Sequence, residues 1–386
     1  MSRTLLTNGR VIDPVAGTDI TADVLIEDGV IVAIGPSIST DADTIDVAGK
    51  VVTSGFIDLH THLREPGFED AEDVQTGSEA GAAGGYTALC AMANTDPVTD
   101  SAAVAEMVWR RGREVGLADI FPVGAITKGL QGTELAEMGE LWGSEAKVDC
   151  FSDDGKPVAD SLMMRRALQY ATRFDAVIMN HSEDPDLTGG AQMNEGRMSS
   201  VLGLAGWPHE AEEVMIARDL ILAQGVGARL HVPHVTTKGA AELIRVGKAA
   251  GVRVTAEVTP HHLSLEDSVV ASYDSRFKVN PPVRTQADVD ALRIALADGT
   301  IDAVATDHAP HAPETKDVEW DVAPCGMLGL ETAFAVLYTE LVLAGHMELL
   351  TAIQRLTTGP ASVRRMDAHG GAVAVGAAAN LTVLDL

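Results

Sequence analysis

From residue 51 onward, short runs rich in Val, Ile and Ala alternate with longer Ala- and Glu-rich stretches, and the alternation repeats eight times. The apolar runs fall at 51–59, 86–92, 120–126, 146–152, 176–180, 229–234, 252–258 and 301–306. Short, nearly continuous apolar runs between helical stretches predict parallel strands covered by helices. Eight of them predict an α/β fold of the (β/α)8 TIM-barrel type, whose chemistry sits at the C-terminal ends of the strands. The first fifty residues read differently. Residues 5–12 and 24–34 are strand-like, and Asp28-Gly29 is a hairpin signal. Residues 379–386 have the same apolar character. The expectation is a small discontinuous β-sandwich module from 1–53 and 361–386, with the barrel, 54–360, inserted between its halves.

Composition narrows the class. A chain of 386 residues with 46% hydrophobic content has the length for a barrel of about 250 residues and a smaller module. A formal net charge of −28 repels nucleic acid and anionic membrane, so neither is an expected partner. An anionic substrate needs its own local positive charge. The N-terminal residues lack a signal-peptide pattern and no stretch approaches a transmembrane span, which predicts a soluble cytoplasmic protein. Cys90, Cys150 and Cys325 are odd in number, widely spaced and without a Cys-x-x-Cys. They read as thiols of the core or of the site's surroundings, and not as a disulfide framework.

The candidate chemistry falls where the barrel rule places it. His60 and His62 follow the first run, and their spacing puts both imidazoles on one side of a strand. Asn94 follows the second run, Asp153 and Asp154 the fourth, and His181 the fifth. His234 ends the sixth, and Asp307 and His311 follow the eighth. Imidazoles and carboxylates converging at one end form the donor set that Zn²⁺ prefers, and the pattern points to a metal-dependent hydrolase. Asp153 and Asp154 point to opposite faces of a continuing strand, so one of them joins the cluster; spacing leaves the two tied. Arg64 offers a planar fork for a substrate carboxylate; the alternative is a surface ion pair with Glu65 or Glu69.

Two strings carry a resemblance over nearly the whole length: Asp58-Leu-His-Thr-His-Leu-Arg-Glu-Pro66 and Ala305-Thr-Asp-His-Ala-Pro-His311 with Lys316. Met92-Ala-Asn-Thr-Asp-Pro97, Phe151-Ser-Asp-Asp-Gly155, His231-Val-Pro-His234 and Lys278-Val-Asn-Pro-Pro-Val-Arg284 add to it. The chain resembles the dihydroorotases of the amidohydrolase superfamily, in their aspartate-bridged, class I form. The resemblance implies two divalent cations, Zn²⁺ by donor type: His60, His62 and Asp307 on one, His181 and His234 on the other, and Asp154 bridging. Many relatives bridge with a carbamylated lysine, but Lys147 lies at the start of its strand. The implied reaction is the reversible cyclisation of N-carbamoyl-L-aspartate to L-dihydroorotate, the third step of pyrimidine synthesis, through a hydroxide shared by the two metals. Asp307 takes its proton and returns it to the leaving nitrogen. Asn94 and His311 would complete the Arg64 clamp, with Asn280 and the backbone of Cys325 and Gly326 against the ring. Family partners imply a homodimer and association with aspartate transcarbamoylase.

Other histidines read more plainly. His261 and His262 would support ligands or pack, His308 would back Asp307, and His231 would face the helices by strand parity. His209, His346 and His369 would be solvated. Gly84-Gly85 reads as a helix-to-strand turn. The competing functions are a hydantoinase- or allantoinase-like cyclic amidase, and a non-catalytic partner subunit of aspartate transcarbamoylase. Relatives also continue beyond the strand that ends at Leu386, which predicts a shortened or truncated small module.

Overall fold

The computed structural model describes residues 2–386. Both ends of the chain build one six-stranded sheet. It contains β1 (Arg3–Asp13), β2 (Thr18–Glu27), β3 (Val30–Gly35), β4 (Asp43–Asp46), β5 (Val51–Ser54) and the last strand, β16 (Leu381–Leu384). The order is β16-β5-β1-β2-β3, with β4 also on β1. All six strands are linked by hydrogen bonds, with β4 and β5 both on β1. β1 changes neighbour along one edge, from β4 at residues 4–7 to β5 at 10–11. The β2–β3 hairpin turns on Asp28 and Gly29, both at positive φ (45° and 78°), as a two-residue type I′ turn requires. Val24, Ile31 and Val52 are its fully buried centre.

Every one of the eight apolar runs carries a parallel strand. β6 (Phe56–Thr61), β7 (Tyr86–Ala91) and β8 (Asp119–Pro122) form one sheet. β9 (Cys150–Phe151), β10 (Val177–Met179), β13 (Arg229–Val232), β14 (Val254–Val258) and β15 (Ala303–Val304) form another. Parallel bridges Gly124–Phe151 and Thr61–His308 join the two sheets at both edges. The connection after β10 carries a separate parallel pair, β11 (Met193–Asn194) and β12 (Gly206–Trp207).

Side chains alternate as a helix-covered strand requires. Leu89, Phe151, Ile178 and Val304 pack in the large cluster that includes Ile216, Leu220 and Ile244 of the helices. Their neighbours Cys90, Cys150, Met179 and Ala305 form a second cluster on the opposite face. Each such burial stabilises by about 1.5–3 kcal/mol for the larger aliphatic and aromatic groups. The connecting helices start on polar caps: Asp160 accepts from Met163 N ahead of Ser161–Ala171, and Thr237 from Ala240 N ahead of Lys238–Ala249. The helix Thr358–Arg364 spans the boundary expected between 360 and 361 and packs on β6 and β15. Among the described residues, no helix is long and apolar enough to cross a membrane.

Candidate metal centre

One carboxylate organises the ends of the parallel strands. Asp154, three residues past β9, is buried, with Oδ1 at 3.3 Å from His60 Nε2, 3.5 Å from His181 Nδ1 and 3.4 Å from His234 Nε2. Its Oδ2 lies 3.3 Å from His62 Nε2. Asp307 Oδ1 stands 3.1 Å from His62 Nε2 and 3.5 Å from His60 Nε2. Asp153, its neighbour in sequence, turns away. Its Oδ1 accepts the main-chain N–H groups of Ile126 (2.7 Å) and Thr127 (2.9 Å), and its Oδ2 the Thr127 hydroxyl. These hydrogen bonds hold Asp153 away from the cluster and leave Asp154 within it, and Lys147 is exposed. Three cluster residues sit in the left-handed region, Arg64 (φ 60°), His234 (φ 32°) and Asp307 (φ 47°). Strain of this kind costs about 1–3 kcal/mol at a non-glycine residue and is held by its surroundings.

The cluster has the donors and spacing of a cation site. His60, Asp154 and His234, and separately His60, His62 and Asp307, bring ligand atoms within 4.8 Å of one another. His60 Nε2 is buried without a hydrogen-bond partner although two carboxylates surround it. A nitrogen placed so is satisfied by a cation that the same carboxylates also reach. Charge is balanced within the set. Burial works against ionisation of Asp154 and Asp307, but the facing imidazoles, His60 first, hold both carboxyls below the usual carboxylate range. Against the same burial, Asp154 and Asp307 raise His60, and Asp154 with Glu183 raises His181 to about 10. Protons shared this way occupy the place of positive charge that a cation would take over.

Three orienting groups went unrecognised in the sequence. Glu257 in β14 is fully buried; its Oε1 meets His60 Nδ1 at 2.9 Å and its Oε2 meets His231 Nε2 at 3.0 Å. Those two imidazoles overcome the burial penalty and bring its pKa down to about 2. Glu183 Oε2 holds His181 Nε2 at 3.1 Å and is 3.3 Å from Asn280 Nδ2. Asn94 Oδ1 meets His62 Nδ1 at 2.9 Å, so the amide expected beside a substrate also fixes a cluster imidazole. A Glu two residues past a candidate His was the available signal for Glu183; for Glu257 none existed short of the strand register.

The expected anion clamp lies beside the cluster. Arg64 donates Nε–H to the Pro310 carbonyl at 3.1 Å. The ion pair with Glu65 or Glu69 does not form: Glu65 faces Arg111, and Glu69 accepts from Gly67 N. His311 Nε2 meets the Cys325 carbonyl at 2.7 Å, and burial lowers the ring's pKa to about 4. Gly326 has φ 147°, and a Cβ there would stand 2.4 Å from the Ala309 carbonyl and 2.8 Å from the His311 ring. Asn280 Oδ1 is buried without a partner. Two ammonium groups pin the segment 317–327. Lys278 Nζ donates to the carbonyls of Trp320 (2.6 Å) and Asp321 (3.2 Å), and Lys316 Nζ to those of Pro324 (2.9 Å) and Gly326 (3.1 Å). A cavity of about 880 Å³ lined by His311, Lys316 and Gly326 opens there.

The remaining histidines divide. His231 does not face the helices, because its neighbours Leu230 and Val232 do and it is fully buried against Glu257. The parity count failed because β13 ends at Val232 and the chain turns before His234. His369 is not solvated: it is buried between Thr87 (3.2 Å) and Asp119 (2.9 Å). His209 is half-buried on Asp288 at 3.0 Å, while His346 is exposed. His262 is held by Thr259 and the Pro281 carbonyl, His261 Nε2 has no partner, and His308 meets Glu72 at 3.0 Å. Buried Cys90 and Cys150 are free thiols of the core, and Cys325 is free and half-buried.

The chain is similar to known proteins over nearly its whole length. Residues 49–240 match the family described as Dihydro-orotase-like. A dihydroorotase from Streptomyces coelicolor is 51% identical over 388 aligned positions, spanning 100% of this chain and 89% of that one. A dihydroorotase from Mycobacterium tuberculosis is 53% identical over 365, spanning 94% and 85%. Among solved structures, an L-hydantoinase (dihydropyrimidinase) from Arthrobacter aurescens superposes with a TM-score of 0.87 at 25% identity, covering 99% of this chain and 86% of that one. A D-hydantoinase (dihydropyrimidinase) from Thermus sp. gives 0.80 at 25% identity, with the same coverage.

Proposed function

The chain belongs to the dihydroorotase family of cyclic amidohydrolases, and from that premise we propose that it interconverts N-carbamoyl-L-aspartate and L-dihydroorotate, a step of pyrimidine biosynthesis. The observation that carries this reading is the placement of Asp154 within 3.5 Å of all four imidazoles, a carboxylate able to join two cation sites. His60, His62 and Asp307 would hold one divalent cation and His181 and His234 the other, with Asp154 between; imidazole and carboxylate donors favour zinc. Such a pair supplies a Lewis acid for a ring carbonyl and brings the pKa of water towards neutrality. The parallel strands, linked edge to edge by their two bridges, support a (β/α)8 barrel as the scaffold, with the terminal sheet as its appendage.

The chain's own groups take the remaining roles. Asp307, beside His60 and His62, would serve as a base towards the attacking water and then as the acid towards the departing ring nitrogen. Arg64 spends one N–H on Pro310 and keeps its terminal nitrogens for the substrate carboxylate. This guanidinium is the local positive charge that an acidic protein needs for an anionic substrate, and the His311 ring, its pKa lowered to about 4 by burial, adds a neutral polar group beside it. Asn280 Oδ1, buried and unpaired, fits a ring N–H, since a buried acceptor left empty costs about 1–3 kcal/mol. Glu183 and Asn94 hold the imidazoles of His181 and His62 in the tautomers that leave the inward nitrogen free. Asp307→Asn tests the assignment: with both metals retained, turnover should fall by at least about 100-fold, the scale of a lost general acid–base group. Full turnover in that variant would remove Asp307 from the proton path.

A further inference from the structure

At the starting ends of β10, β13 and β14, the ends opposite the histidine cluster, a second pocket of about 270 Å³ is rimmed by Arg229, Arg253 and Arg365. Three guanidiniums around one small opening depart from a chain whose net charge is −28. The acids that face them do not balance them. Asp175 takes Arg253 Nη2 at 2.7 Å on one oxygen and Arg365 on the other. Asp149, the other carboxylate felt by Arg229, is already paired with Arg364. Arg229 donates to the main-chain carbonyls of Asp175 (2.9 Å) and Val363, and pairs with no carboxylate. Burial, and then the nearby Arg365 and Arg253, depress its pKa, the mark of positive charge held close to positive charge. Four guanidiniums face two carboxylates, which leaves two positive charges unneutralised.

We propose that this pocket binds a phosphoryl group, either as free phosphate or on a small sugar phosphate. A guanidinium fork matches phosphate oxygens in paired hydrogen bonds. A phosphate monoester carries about −1.5 to −2 at neutral pH, which suits the unneutralised charge, whereas a single carboxylate would not. The volume lies just below the range of about 300–1,000 Å³ usual for drug-sized ligands, room for a phosphate with a pentose and too little for a dinucleotide. β10 and β13 run for three and four residues between this pocket and the cluster, roughly 10–13 Å at about 3.3 Å per residue, so the site is separate from the catalytic one.

The test is calorimetric titration of the full-length, metal-loaded protein with inorganic phosphate and with ribose 5-phosphate. Arg253 and Arg365 are about half exposed, at 46% and 56%, so Arg253→Gln and Arg365→Gln should fold, and unchanged dihydroorotate turnover verifies that. Each single variant should bind about tenfold more weakly, as expected for a lost charge-assisted contact, and added NaCl should weaken the wild type further. Tighter binding of the sugar phosphate would show that the pentose is also held; equal binding would show that phosphate suffices. Absence of binding to the wild type by either probe overturns the proposal. So does equal affinity in the wild type and the double variant, because the anion would then sit elsewhere, on the metals for example.

Discussion

Glu257 shows how far a single buried side chain sets the chemistry here. It contacts no candidate substrate position, yet it fixes His60 Nδ1 and so aims Nε2 at Asp154 and Asp307. Removing the charge with Glu257→Gln should lower metal affinity by about 10–100-fold, the usual range for groups behind a ligand; competition with a chelator, followed by metal counting, measures it. Lys316 works at the other wall. Its ammonium ties the carbonyls of Pro324 and Gly326 together beside His311. Lys316→Met should raise KM about tenfold, near 1.4 kcal/mol, with metal content unchanged; an unaltered KM would make the segment rigid without it. At this scale much of the cluster was legible, since alternation puts the i, i+2 histidines on one side and the ends of the apolar runs mark where the aspartates gather. Asp153 against Asp154 was not, because the choice depends on two main-chain N–H groups from residues 126 and 127. Neither was Glu257, whose partner lies 197 positions away.

Among elements, the helix Glu210–Val226 carries a group whose ionisation opposes folding. Asp219 is buried, meets Asn180 Nδ2 at 2.7 Å and pairs with Arg218, and burial outweighs both to raise its pKa to about 6. The folded state therefore holds this proton more tightly than the unfolded chain, whose carboxyl titrates near 3.9. No penalty exists below about pH 4; it grows as pH rises and is complete above about pH 6, reaching roughly 3 kcal/mol at 1.36 kcal/mol per pKa unit. Asp219→Asn should gain stability relative to the wild type by about 2–3 kcal/mol between pH 4 and pH 8, in denaturant unfolding of both proteins at both values. An equal difference at the two pH values would contradict it. The eight apolar runs all became parallel strands, because a strand covered by helices must be apolar along its length. In the terminal module, β1 pairs with β4 and then β5 along one edge, and β5 brings in the C-terminal strand β16. His231 was misplaced because β13 stops two residues short of His234.

For the whole molecule, the net charge of −28 and an anionic substrate are reconciled by position. Arg64, Lys278 and Lys316 place positive charge at the walls beside the cluster. The central claim, that these groups serve dihydroorotate, is tested most directly by assaying purified protein of known metal content on dihydroorotate, with hydantoin and allantoin as controls. The account predicts turnover of dihydroorotate, about two metals per chain as a shared-carboxylate site requires, and little turnover of the two rings that lack its carboxylate. Turnover of hydantoin or allantoin in preference to dihydroorotate, or none of dihydroorotate with both metals bound, would contradict it.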